Sequence, residues 1–220
     1  MNASVQSPRF ERRWPVALAI IAVVVILALL PGRVRLFPAW LPYVAGIVLI
    51  VAMAPVGVTA ARARWLRVEH TIMLLFIAMV GVGNLATLAQ VIRTMVLRSS
   101  EVGGLQLLAS SIAVWVNNVL AFALLYWQID RGGPEARLND AGRRPDWLFP
   151  QATAPDHVPP NWHPTFVDYL FLAYSTATAF STTEVAPLTS RAKLLMMLES
   201  TISLVTIVVV ASRAINILGS

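Results

Sequence analysis

Thr176, Thr178, Ser181, Thr182, Thr183 and Glu184 put six hydroxyl- or carboxylate-bearing side chains into nine residues, with only Ala177, Ala179 and Phe180 between them. Oxygens clustered at that density suit one kind of chemistry, the coordination of a cation or hydrogen bonding to a polar solute in passage. Other chemistries find no footing. With no cysteine in the chain, thiolate catalysis, disulfides and cysteine-bound metals are excluded. His70, His157 and His163 are too scattered for a metal set, and Asp130, Asp140, Asp146 and Asp156 lack the spacing of a calcium loop. Gly81-Val82-Gly83 lacks the third glycine of a dinucleotide fingerprint and reads as close-packing backbone. No Ser/His/Asp set gathers at one depth, so neither an enzyme, a metal nor a cofactor is expected.

The oxygen-rich turn needs elements to hold it, and these are membrane elements. Of the 220 residues, 57% are hydrophobic and 13% charged, with a mean hydropathy of +0.69, against about 25% charged in a soluble domain. Apolar runs at about Trp14–Leu30, Phe37–Val58, His70–Leu97 and Leu105–Gln128 approach or exceed the roughly 20 residues a crossing requires. The first follows Arg9, Arg12 and Arg13 but ends in Leu-Leu-Pro-Gly-Arg without a small-x-small cleavage site, so a retained span is expected rather than a signal peptide. A fifth apolar run covers Leu194–Leu218. Residues 130–164, rich in Pro, Gly, Asp and Arg, read as an aqueous loop with Trp147, Phe149 and Trp162 at the membrane interface. The chain thus divides into a four-span bundle with a basic tail (1–129), the loop (130–164) and a C-terminal unit (165–220).

Within that unit, Phe166, Tyr169, Leu170, Ala173 and Tyr174 recur at helical spacing, and Asp168 suits the positive end of the helix dipole. Thirteen residues, Phe166 to Thr178, make a helix of about 20 Å, short of the about 30 Å of a hydrocarbon core. Two arrangements follow. Either the segment re-enters on its own side, or Phe166–Val185 crosses fully. The expected fold is therefore an all-α polytopic bundle with five full spans plus a re-entrant segment, or six spans.

Asn84, Gln90, Asn117 and Asn118 fall at bilayer depth, where hydrogen bonds between helices are their default role. The net charge of +6 comes from arginines in the gaps between apolar runs, which fits lipid headgroups rather than nucleic acid. Arg9, Arg12, Arg13, Arg62, Arg64, Arg67, Arg131, Arg137, Arg143 and Arg144 fall on one side, and Arg33, Arg35, Arg93 and Arg98 on the other. The positive-inside rule then puts the N-terminus and the long loop in the cytoplasm of a multi-pass cell-membrane protein.

Phe166-Val167-Asp168-Tyr169-Leu170-Phe171 resembles the opening of a potassium-channel pore helix. Thr176-Ala177-Thr178 resembles the hydroxyl-bearing positions before the filter, Glu184-Val185-Ala186-Pro187 the acidic exit, and Ser190 to Glu199 the start of the inner helix. The Asp-Tyr-Leu opening and the Thr-Ala-Thr-Ala-Phe-Ser core are also similar to those of uncharacterised bacterial multi-pass membrane proteins. The channel resemblance implies a tetramer around a pore lined from Thr176 to Glu184, with Asp168 and Glu199 as helix support and a monovalent cation as the permeant species. The filter departs from the family, because Ala179, Phe180, Ser181, Thr182 and Thr183 stand where Thr-Val-Gly-Tyr-Gly would. Without glycine, the positive φ angles of a carbonyl cage are resisted, so a weakly selective cation channel is expected. The alternatives are a non-conducting scaffold or partner-binding protein, and a small-solute transporter.

Overall fold

Proline sets the first helix boundary. In the computed structural model of the chain, α1 (Trp14–Leu29) stops because Leu30 precedes Pro31 and is extended, with φ −62° and ψ 137°, the conformation that a following proline ring enforces. The structure describes residues 11–30, 38, 40–58, 63–97, 104–138, 143–160, 162–178 and 184–218. After α1 come α2 (Trp40–Val58), α3 (Ala63–Leu97), α4 (Gly104–Ile129), the single-turn α5 (Pro134–Leu138), β1 (Trp147–Leu148), α6 (Phe166–Thr178), β2 (Ala186–Pro187) and α7 (Ser190–Leu218). The protein is all-α but for β1 and β2, which pair antiparallel, Trp147 opposite Pro187 and Leu148 opposite Ala186.

Among the described residues, three helices are long and apolar enough to cross a membrane: Arg67–Met95 with 29 residues, Leu105–Gly132 with 28 and Ser190–Ser212 with 23. The chain therefore fits a membrane protein, but the expected five full spans are not supported. The helices Trp14–Leu29 and Trp40–Val51 belong to a shorter class. The 16 residues of α1 reach about 24 Å, less than a hydrocarbon core. The third helix departs in the other direction. Arg64 and Arg67, expected in an aqueous gap, lie inside α3, since arginine is a good helix former and no proline or glycine interrupts the chain there.

α4 is the central helix, packed on α1, α3, α6 and α7, while α2 packs on α1 and α3. The core gathers Ile20 of α1, Leu49 of α2, Met73 of α3, Leu124 and Trp127 of α4, and Leu172 of α6. Leu30, Val91, Leu107 and Val209 form a second, smaller cluster, joining α1, α3, α4 and α7 toward the opposite end.

The segment expected to be an aqueous loop is largely folded onto one end of this bundle. Trp147 and Phe149, expected at the membrane interface, are 1% and 4% exposed, and Trp147 lies against Tyr126 with ring centroids 4.7 Å apart. The polar counterpart of this packing is Asp130, which is fully buried. Its Oδ1 accepts from the Asp146 amide at 2.7 Å, and its Oδ2 from the Tyr169 hydroxyl at 2.5 Å. Its carbonyl accepts from the Gly133 amide at 2.9 Å and the Arg137 guanidinium at 3.1 Å. The turn that makes this possible takes Arg131, Gly132 and Gly133 through positive φ of 52°, 87° and 107°. A Cβ on Gly132 would come within 2.5 Å of the Arg143 guanidinium, which would have to shift, but it is the φ of 87° that calls for glycine there.

Asp130→Ala leaves the Tyr169 hydroxyl and the Asp146 amide buried without an acceptor. The expected loss is about 3 kcal/mol of stability, with Tyr169→Phe losing less than half of that. Chemical unfolding of the detergent-solubilised protein, followed by tryptophan fluorescence, measures both. Asp130→Ala within about 0.5 kcal/mol of wild type would show that the tie does not hold the fold.

Candidate functional site: a half-length helix and the polar seam beside it

α6 starts where Thr165 and Asp168 cap each other locally, the Asp168 carboxylate accepting from the Thr165 amide at 2.7 Å and from its hydroxyl at 2.8 Å. Here Asp168 supports the helix start, as its position in the sequence suggests. The helix begins at the end of the bundle marked by Asp130, where the Phe166 ring meets Trp127 edge-on at 6.3 Å. It then runs inward along α4 and α7. The Tyr174 ring meets Trp115 at 6.0 Å, and the Thr176 carbonyl accepts from the Ser200 hydroxyl at 3.2 Å. Ser200 lies ten residues into α7, about 15 Å from its start.

The chain then returns to the end it came from. Ala186–Pro187 pair with β1, and the Leu188 amide bonds the Asp146 carbonyl at 2.8 Å. The first turn of α7 grips the same aspartate: the Thr189 hydroxyl donates to Asp146 Oδ1 at 2.6 Å, and Arg191 pairs with Oδ2. Both ends of the stretch from Phe166 to Pro187 thus sit at one end of the bundle, and a crossing of residues 166–185 from face to face does not fit.

The oxygens singled out from sequence divide into three groups. Thr176 and Thr178 turn their hydroxyls back onto their own helix, to Leu172 O at 2.8 Å and to Tyr174 and Ser175 O at 3.1 Å each, so their side chains close the last turn of α6. Ala179, Phe180, Ser181, Thr182 and Thr183 lie outside the described residues. Glu184 is exposed. Glu199 is fully buried. The Tyr126 hydroxyl donates to its Oε2 at 2.5 Å, while its Oε1 has no hydrogen-bond partner among the described residues. Arg191 pairs with Asp146.

Glu199 belongs to a polar seam between α4 and α7. The Asn118 amide donates to Ser203 Oγ at 3.0 Å and to the Glu199 carbonyl at 3.4 Å, and Thr206 continues the seam, bonded within α7 to Ile202 O. Asn118 thus makes the interhelical bond expected of it. Its neighbour Asn117 is 1% exposed, and neither its amide nitrogen nor its oxygen has a partner among the described residues. Eleven residues, three helical turns, separate Asn117 from Gln128, whose side chain meets His70 of α3 at 2.8 Å, so Asn117 lies on the α3 side of α4. Asn84 of α3 is also buried, whereas Gln90 is exposed.

A second set of residues, unremarked in the sequence as a site, closes the Asp130 end. Glu11 accepts from the Trp127 indole and the Phe166 amide at 3.0 Å each and pairs with Arg137 at 3.6 Å. Burial pushes the Glu11 carboxyl above the usual carboxylate range, against the pull of Arg137. Arg13 joins Glu69 of α3 to Glu135 of α5. The Arg137 guanidinium lies 4.8 Å over the Tyr169 ring and donates to Trp127 O at 2.6 Å. The one local signal of this network was Asp130 itself, the first carboxylate after the apolar run of α4. Its partners lie up to 39 residues away in sequence. No known protein family, curated protein or solved structure matches this chain.

A double-mutant cycle on Tyr126→Phe and Glu199→Gln is expected to give a coupling of about 0.6–2 kcal/mol, the range for hydrogen bonds between helices in lipid. Thermal unfolding of the four proteins in one detergent measures it. Strict additivity would mean that the two side chains do not bond in the folded protein.

Proposed function

We propose that the chain is a multi-pass protein of the cell membrane whose C-terminal unit binds and passes a small monovalent cation at the inner end of a re-entrant half-length helix. The observation carrying this reading is that α6 enters and the chain returns at the same end, with the last turn of α6 level with Ser200. Irregular backbone at membrane depth is tolerated only where protein or a water-filled cavity shelters it. Here α4 and α7 pack against α6. The carbonyl end of a helix carries about half a negative charge, so the end of α6 favours a cation over an anion. Glu184, exposed after the turn, draws cations to the mouth.

In this reading the basic end, where Arg12, Arg13, Arg137, Arg143, Arg144 and Arg191 gather, faces the cytoplasm. One such unit cannot enclose a pore, so copies assemble, four if the channel resemblance extends to symmetry. A second reading, a non-conducting scaffold, is favoured by one observation: Tyr126 with Glu199 and Asn118 with Ser203 pair with one another, as structural groups do.

Reconstitution decides between them. Purified protein in planar bilayers is expected to pass monovalent cations with little choice between potassium and sodium, and Glu184→Gln is expected to lower cation conductance severalfold at low salt, where surface charge acts most strongly. No current above background, unchanged by Glu184→Gln, together with a monomer in detergent, would leave the scaffold.

A further inference from the structure

At the basic end, apart from the α6 turn and the polar seam, lies a cavity of about 240 Å³. Four elements frame it: the start of α3, the turn after α4, the strand leading into β1 and the first turn of α7. Its charged and titratable lining is Arg131, Arg143, Arg144, Arg191, Asp146 and His70. Four guanidiniums therefore face one carboxylate. That carboxylate is already engaged by Arg191 and by the Thr189 hydroxyl. Among the described residues, Arg131, Arg143 and Arg144 have no second acidic side chain in the lining, and the buried Arg131 Nε has no hydrogen-bond partner.

The arrangement is built into the backbone. Arg131 has φ 52° and ψ 15°, a left-handed conformation that costs energy for any residue with a Cβ and that clusters at ligand sites. Gly132, directly after it, leaves room for the Arg143 guanidinium to lie against the main chain. Like charges gathered in so small a space repel one another unless a counter-charge joins them. Among the described residues, the lining supplies only Asp146. Guanidiniums present paired N–H donors that match phosphate oxygens, and a basic pocket between helix ends suits an anionic headgroup.

We infer that this cavity is a binding site for a phosphate-bearing anion, held by Arg131, Arg143 and Arg144 with Arg191 at its edge. A phosphate can come from the headgroup of an anionic lipid or from a soluble ion. The shared chemistry is the same, and the test separates the sources.

The full chain is reconstituted in phosphatidylcholine nanodiscs, with or without phosphatidylglycerol, and its thermal midpoint is measured. A second arm adds inorganic phosphate to the phosphatidylcholine discs, with chloride at equal ionic strength as reference. A raised midpoint with phosphatidylglycerol assigns the site to lipid. One with inorganic phosphate alone assigns it to a soluble anion. In either case the exposed pair Arg143→Gln/Arg144→Gln, shown to be folded by its helicity and elution volume, is expected to bind about tenfold more weakly. Arg12→Gln, an exposed arginine at the same end but outside the cavity, is expected to behave as wild type. The inference is overturned if neither phosphate source shifts the midpoint, or if Arg12→Gln weakens the response as much as the double variant does. That second result would assign the effect to the general positive field of this end.

Discussion

The Asp130 carboxylate is the interaction on which the rest of the structure depends. One of its oxygens fixes α6 through the Tyr169 hydroxyl, and the other fixes the strand leading into β1 through the Asp146 amide. Asp146 in turn holds the first turn of α7 through Thr189 and Arg191. A single buried side chain thus sets the relative position of the end of α4, the entry of α6 and the start of α7. Buried polar groups are costly unless each is satisfied. Both carboxylate oxygens of Asp130 are hydrogen-bonded, so the cost of burying it is offset and a specific geometry is gained. The apolar layer around it, Trp127, Trp147, Phe149 and Phe166, keeps water from competing for those bonds, and hydrogen bonds are stronger for that exclusion.

That geometry solves a problem set by the length of α6. A 13-residue helix ends part-way along α7, and its last four carbonyls lack partners within the helix. Side chains answer part of this need. Ser200 donates to the Thr176 carbonyl, and Thr178 bonds the carbonyls of Tyr174 and Ser175. Two hydroxyls thus bond three carbonyls at the end of one short helix. Part of the hydroxyl-rich composition is therefore explained by closure of a helix end.

The sequence displayed what depends on local rules. The extent of α6 was legible to the residue, because Thr165 and Asp168 cap it and an apolar stripe follows. The helical class of the protein and the end of α1 before Pro31 were legible for the same reason. Two kinds of feature were not. Span count failed at α1, since apolar composition reports what lipid tolerates rather than how far a helix reaches. The packing of residues 130–164 failed because a polar loop and a polar cap have the same composition. What distinguishes them is the pairing of Asp130 with Tyr169 and of Glu11 with Trp127 and Phe166, contacts across tens of residues that no periodicity records.

Two neighbouring residues show how tightly the inner and outer faces of this end are joined. Asp130 points into the bundle and bonds Tyr169, while Arg131 lines the basic cavity. Consecutive residues in a continuing helix would be separated by only about 100° around its axis. The left-handed step at Arg131, relieved by two glycines, breaks the helix of α4 at this point. The same step closes the Gly133 amide onto the Asp130 carbonyl and starts α5, which carries Arg137 back over Trp127 and Tyr169. The strain at Arg131 is thus held in place by Asp130 on one side and Arg137 on the other. The basic cavity and the entry of α6 are thus anchored by adjacent residues, Arg131 and Asp130.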